Sequence, residues 1–190
     1  DSSTSRGLGD VYKRQLFFVA IGKAACAMIQ EALRHTPKGN RINAVAVTNY
    51  ENACEIDGCK VLAAGHPLPD ENGAKAAQHV ADLLRKANAH DHVLAMISGG
   101  GSALLPAPVE GVSLDDKVMT SDILLNNGYN ITEMNMIRQQ LSSLKGGGML
   151  QLAQPASLRG LIISDVIGDD LRTIASGPTL SLIHISEPTR

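Results

Sequence analysis

Ser98-Gly99-Gly100-Gly101-Ser102 sets three consecutive glycines between two hydroxyls. With no side chains in the way, successive backbone N–H groups can form a nest for anionic oxygens, and the serines can add donors. The competing reading is a tight strand-to-helix turn that holds no ligand. The run matches neither the GxxxxGK[ST] phosphate loop nor the GxGxxG dinucleotide fingerprint. Lys23 follows Gly22 at the end of an apolar stretch and opens a helix-like segment. A lysine opposes the positive end of a helix unless an anion joins it there. Otherwise it is a solvent-facing side chain.

A second cationic pattern lies in NMIRQQLSSLKGGG. Asn135, Arg138, Ser142 and Lys145 are three, four and three residues apart, the spacing of one helical face. That face ends in another glycine run, Gly146 to Gly148. It can grip an anion, or it is a solvated face closed by a glycine cap. In SDVIGDD, Asp165, Asp169 and Asp170 offer the hard oxygens that Mg²⁺ takes. Alternatively Asp165 caps a turn and the other two are surface charges. His66, in GHPLPDENG, is a further candidate ligand contact, while His35, His79, His90 and His92 read as surface or helix-face residues.

The elements that must position these residues follow from hydrophobic periodicity. Residues 16–22, LFFVAIG, form a continuous apolar run of strand length, as expected of a strand buried on both faces. Residues 23–35 carry apolar positions at helical spacing and are stopped by Pro37 and Gly39. Further strands are expected at 42–48, 60–65, 92–97 and 158–165. A helix is expected after Pro69, where acidic residues suit its N-terminus. SLDD at 113–116 resembles a capping box for a helix to about Asn127, and NITE at 130–133 opens another to about Leu144. Strands alternating with helices predict an α/β fold: a Rossmann-like, mainly parallel sheet with helices on both faces. Ligands of such sheets bind beyond the C-terminal strand ends. Gly22-Lys23, Gly65-His66, the Ser98–Ser102 loop and Asp165 all fall there.

Composition narrows the class. The chain has 190 residues, 44% hydrophobic and 19% charged, with a net charge of −2 and only 3% aromatics. It is globular, with a core of Ala, Val, Ile and Leu. No basic cluster is visible in the sequence, which argues against a nucleic-acid partner. Cys26, Cys54 and Cys59 are odd in number and fit no zinc spacing, as expected of reduced thiols in a cytoplasmic protein. No apolar run is long enough to span a bilayer.

The two ends read differently from the middle. Residues 1–15 and 180–190, with SRGLGDVYKRQ and LSLIHISEPTR, resemble translated sequencing-library adapters and are set apart from fold reasoning. On that reading the natural segment is 16–179, an incomplete domain of a longer protein.

Five motifs in order then carry a resemblance: IGKAACAM, GHPLPDENG, SGGGSALLPAP, NMIRQQLSSLKGGG and SDVIGDDLRTIASGPT. Together they resemble the N-terminal domain of the type-2 glycerate kinases that carry a MOFRL domain, some of them labelled hydroxypyruvate reductases. The resemblance spans essentially all of 16–179. It implies ATP-dependent phosphorylation of D-glycerate with Mg²⁺, mostly to 2-phosphoglycerate, in a cleft completed by a C-terminal domain of the same chain. It further implies Lys23 as the catalytic cation and Ser98, Gly99, Gly100, Gly101 and Ser102 as the phosphate or nucleotide loop. His66, Asn135, Arg138 and Lys145 would bind substrate, and Asp165 or Asp169 would hold metal or orient the glycerate hydroxyl. The sequence departs from the family at Gly148, where a basic residue is expected. Two rivals stand beside this reading. An NAD-dependent hydroxypyruvate reductase is disfavoured by the missing glycine fingerprint, and no acidic residue is evident at the end of the second strand. A non-catalytic sugar-phosphate-binding module would use the same glycine loop.

Overall fold

A computed structural model of the chain describes residues 15–164 and 174–180. Five strands form one sheet: β1 (Gln15–Ile21), β2 (Arg41–Asn49), β3 (Cys59–Ala64), β4 (His92–Ile97) and β5 (Ser157–Ile162). Their order is β3-β2-β1-β4-β5, and every neighbouring pair is parallel. The expected α/β class is thus observed. β1 begins at Gln15, one residue inside the tail set apart above, and the Gln15 N–H donates to Asp91 Oδ1 at 3.0 Å.

The alternation of side chains along β1 divides the core in two. Phe17, Val19 and Ile21 point to one face, where α2 (Glu71–Leu84), α3 (Gly101–Leu104) and α6 (Gly148–Ala153) pack. Phe18 and Ala20 point to the other, against α1 (Ala25–Arg34), whose Ala25, Cys26 and Ile29 are buried. Both faces of the central strands are therefore covered, as their continuous apolar runs require. α2 is capped by Asp70, whose carboxylate accepts from the Gly73 N–H at 2.8 Å, and it buries Gly73, Ala76, Ala77, Val80, Ala81 and Leu84 along one stripe. β5 closes one edge of the sheet and is largely exposed.

Two expected capping boxes form. Ser113 and Asp116 start α4 (Leu114–Asn126), and Asn130 and Glu133 start α5 (Ile131–Gln140). The second helix is shorter than expected. It ends at Gln140, so Ser142 and Lys145 leave it and the four-residue helical face does not form. Ser142 is instead drawn into a bridge with Pro108, and its hydroxyl donates to the Pro106 carbonyl at 3.1 Å. These long-range bonds outweigh the local helical pattern. Among the described residues no helix is long and apolar enough to cross a membrane.

Candidate active site

The strand order changes direction between β1 and β4, the switch point where such sheets bind ligands. The two turns leaving these strands are tied together. Ser98 N–H donates to the Ile21 carbonyl and Lys23 N–H to the Gly99 carbonyl, both at 2.9 Å. The Ser98 hydroxyl is buried, accepts from the Ala24 N–H at 3.1 Å and reaches the Ile21 carbonyl at 3.4 Å. Gly22 makes this approach possible. Its φ is +118°, and a Cβ there would stand 2.2 Å from Ser98 Oγ.

Beyond Ser98 the glycine run curls over the end of the sheet. Gly100 takes a left-handed conformation, φ +87°, and leads into the short helix α3. Gly101 packs so closely on Ile21 and Ala175 that a Cβ would come within 2.9 Å of Ala175 Cβ. Among the described residues, the backbone N–H groups of Gly99, Gly100, Gly101 and Ser102 donate no hydrogen bond. Four successive unpaired donors are the nest that glycine permits.

His66 and Lys23 stand over this run. A Cβ on Gly100 would lie 3.0 Å from the His66 ring and 3.4 Å from Lys23 Cε. Partial burial lowers the His66 pKa, the Lys23 charge lowers it further, and Glu51 opposes both. Glu51 lies in a 3-10 turn, Tyr50–Asn52, just past β2. Its carboxyl is held below the usual range, first by its own backbone N–H and then by the Asn49 amide, with Lys23 and His66 adding to the effect.

Next to the run opens a cavity of about 350 Å³. His66, Gly100, Ser102, Lys117, Arg138 and Lys145 supply its polar lining, with Asp122 on its exposed side. Lys145 is buried, and its Nζ donates to the Ser102 carbonyl at 2.9 Å. Lys117 Nζ donates to the Leu141 carbonyl at 2.8 Å, and Arg138 Nε to Ser121 Oγ at 3.1 Å. None of the three forms an ion pair among the described residues. Burial pushes the Lys145 ammonium down to about 7, aided by the charges of Lys117 and Arg138. Lys117 falls to about 8 through burial and the Arg138 charge, and burial also lowers Arg138. Three cations that repel one another around one cavity make a site that an anion would relieve.

The expected residues are therefore distributed unevenly. His66, Gly100, Ser102, Arg138 and Lys145 meet at the cavity, and Lys23 stands against its Gly100 and His66 corner. Ser98, Gly99 and Gly101 form the turn behind it. Asn135 is buried and accepts from the Ser176 hydroxyl at 3.3 Å, away from the cavity lining. Asp165, Asp169 and Asp170 lie outside the described residues, and among the described residues no cluster of three acidic, His or Cys side chains is arranged for a metal ion. Two residues were not anticipated. Lys117 sits seven positions before buried Leu124, on the inward stripe of α4, a spacing that could have marked it. Glu51 corrects the expectation that no acid follows the second strand.

A family described as "Domain of unknown function (DUF4147)" matches residues 3–185. Over 170 residues the chain is 42% identical to a glycerate 2-kinase of Pyrococcus horikoshii, covering 88% of this chain and 37% of that protein. An Agrobacterium vitis protein with a provisional hydroxypyruvate reductase name is also 42% identical, over 86% of this chain and 42% of its own. The crystal structure of a Thermotoga maritima glycerate kinase superposes with a TM-score of 0.84 at 41% identity, over 88% of this chain and 41% of that one. The chain thus spans about two fifths of the length of these relatives.

Proposed function

The chain belongs to the DUF4147 family, and from that premise we propose that the full-length protein is a glycerate kinase, transferring the γ-phosphoryl group of ATP to D-glycerate to give 2-phosphoglycerate. The observation that carries this reading is the cavity lined by buried Lys117 and Lys145 and half-buried Arg138, beside four backbone donors with no partner among the described residues. Phosphoryl transfer asks a protein to position and neutralise oxygens more than to do covalent chemistry. The nest and the cations suit phosphate and carboxylate oxygens, and the planar Arg138 guanidinium suits either in bidentate fashion. Lys23 is the proposed cation on the transferring group, since its ammonium is exposed beside Gly100 while its backbone N–H is fixed by Gly99. His66, neutral near pH 7, would accept from or donate to a substrate hydroxyl.

Mg²⁺ would neutralise charge between phosphate oxygens. Asp165 and Asp169 are the proposed ligands. The charge on a transferring phosphoryl must be met from several sides, in a site shut from water. The residues above supply one wall. The opposite wall would come from the part of the relatives' length that this chain does not span, a further domain of the same polypeptide.

The second reading is a hydroxypyruvate reductase. Glu51, just past β2, and the name of the Agrobacterium relative favour it. Against it, β1 runs into Gly22-Lys23-Ala24-Ala25 without the further glycines of a dinucleotide turn. The deciding experiment assays full-length protein with D-glycerate, ATP and Mg²⁺, and in parallel with hydroxypyruvate and NADH. Glycerate-dependent ADP release is the expected result. NADH oxidation without it would replace the kinase reading. The 190-residue chain, assayed alongside, should release no ADP above background; a rate near that of the full-length protein would remove the need for a second wall.

A further inference from the structure

Ser102 lines the cavity, and its hydroxyl is tied to a buried chain of polar groups behind the glycine run. The hydroxyl oxygens of Ser102 and fully buried Ser176 stand 3.2 Å apart. The Ser176 hydroxyl donates to Oδ1 of buried Asn135 at 3.3 Å. A serine hydroxyl carries one proton. With that proton given to Asn135, Ser176 can only accept from Ser102. The Ser102 proton therefore points into the protein, and its oxygen turns lone pairs toward the cavity. The Ser102 backbone N–H donates to nothing among the described residues. One residue thus presents an acceptor and a donor next to each other.

The backbone that carries Ser176 is held in a costly shape. Ala175 and Ser176 take φ values of +49° and +61°, left-handed conformations that residues with a side chain rarely adopt. The Ser176 carbonyl accepts from the Gln139 side-chain amide at 3.1 Å and from the Gly146 N–H at 3.0 Å. These bonds keep the segment in place and set the Ser176 hydroxyl against Ser102.

We propose that Ser102 receives the α-hydroxyl of an α-hydroxy carboxylate, and that Ser176 and Asn135 are positioning residues that fix Ser102 as an acceptor. The proposal rests on the glycerate reading above and adds how the alcohol is chosen. The α-hydroxyl donates to Ser102 Oγ, while the neighbouring carboxylate lies toward the open N–H groups and the cations of the cavity. A carbonyl at the same carbon has no proton to give, and its lone pairs would face those of Ser102. The chain ends on a neutral amide, so it orients the hydroxyl and cannot remove its proton.

The test is equilibrium binding to the full-length protein, by calorimetry, of D-glycerate, 3-hydroxypropionate and hydroxypyruvate. The second lacks the α-hydroxyl and the third has a carbonyl in its place. D-Glycerate should bind roughly tenfold more tightly than either, the worth of one hydrogen bond. Ser102→Ala should remove most of that preference. Ser176→Ala frees the Ser102 proton to turn toward the cavity, so hydroxypyruvate should gain on glycerate while 3-hydroxypropionate does not. A Ser176 that only supports the fold would weaken all three ligands alike. Asn135→Asp keeps an acceptor for Ser176 and should keep the wild-type order. Equal affinities in the wild-type protein, an unchanged preference in Ser102→Ala, or three ligands weakened alike by Ser176→Ala would each overturn the proposal. The first two outcomes are read without altering a fully buried residue. Glycerate-dependent ADP release without the preference would sink this inference and keep the kinase; the preference without ADP release would do the reverse.

Discussion

The chain contains two triple-glycine runs, and they do opposite things. At Gly99–Gly101 the backbone donors are left open and a cavity forms beside them. At Gly146–Gly148 the donors are taken by the protein itself. Gly146 N–H donates to Ser176, Gly147 to Gly177 and Gly148 to Lys145, at 2.8–3.0 Å. Met149 N–H continues the ladder to Pro178 at 3.1 Å. The first run therefore offers its nest to a ligand, and the second has its own chain as ligand. Glycine is needed in both for one reason: backbone must come close to something. What comes close is decided by the rest of the fold.

If the open run is where charge is transferred, the cation beside it should matter most. Lys23→Ala in the full-length protein should lower kcat by about 10²-fold or more, the scale of losing one preorganised donor, with a smaller change in KM. Steady-state kinetics on a variant with unchanged circular dichroism is the check. Near-normal turnover would return Lys23 to the solvent-facing reading.

Substituting one glycine in each run separates binding from folding. Gly100→Val places a Cβ 3.0 Å from the His66 ring at a φ of +87°, on the ligand side. Nucleotide or glycerate binding should weaken by roughly tenfold or more, with the sheet intact. Gly148→Val places a Cβ 2.1 Å from the Ser143 carbonyl, where no flexible side chain can yield. It should cost roughly 1–3 kcal/mol of stability. Ligand-induced thermal shift and denaturant unfolding read the two effects. The comparison collapses if both variants lose stability alike and neither loses binding alone.

That difference between the runs was not legible in the sequence, where both are three glycines near a serine. The fold itself was legible, because buried parallel strands announce themselves as unbroken apolar runs and α4 and α5 by their capping boxes. Lys23, His66, Arg138 and Lys145 were visible as charges at strand ends or on helical spacing. The strand ends already brought Lys23 and His66 to the glycine loop; the arrival of Arg138 and Lys145 beside them was not legible. Lys145 reaches Ser102 across 43 positions because the chain leaves α5 at Gln140, and the long-range bonds of Ser142 and Ser143 end that helix early. The absence of a basic cluster in the sequence likewise hid one in space, since Lys117 comes from α4 and joins Arg138 and Lys145 only in the fold. Gly148 shows the reverse. Its departure from the expected basic residue is a backbone requirement in this chain, as the Ser143 contact shows.

Replacing a cation of the open site should trade binding against stability. Lys117→Met keeps the packing and removes a charge that burial and Arg138 disfavour. Anion affinity should fall by about tenfold, the worth of one charge-assisted hydrogen bond. The unliganded protein should melt a few degrees higher, because a buried charge without an ion pair is removed. A variant that binds normally, or melts lower, would mean Lys117 serves the Leu141 carbonyl and not a ligand.

The smallest effect is on pH, and its two halves have opposite signs. Lys145 titrates at about 7 and Lys117 at about 8 in the empty site, both well below their ordinary 10.5. Unfolding restores the ordinary value, so above pH 7 the unfolded chain binds more protons than the native one, and stability without ligand should rise with pH up to about 10.5. An anion does the reverse. It favours the charged lysines, so binding takes up protons and weakens as pH passes their empty-site values. His66, already lowered below 6.5, is neutral across this range, and Arg138 stays charged, so the two lysines dominate. Glycerate, a monoanion throughout this range, should bind roughly fivefold more weakly at pH 8 than at pH 7, allowing for coupling between the two lysines. Calorimetry in buffers of different ionisation enthalpy reads the proton uptake directly, and a melting series in the same buffers reads the stability. Lys145→Met should flatten much of both trends. Affinity that holds constant from pH 7 to 8, or melting temperatures that fall over that interval for want of the lysine contribution, would show that these two lysines are already neutralised in the protein and do not hold the anion.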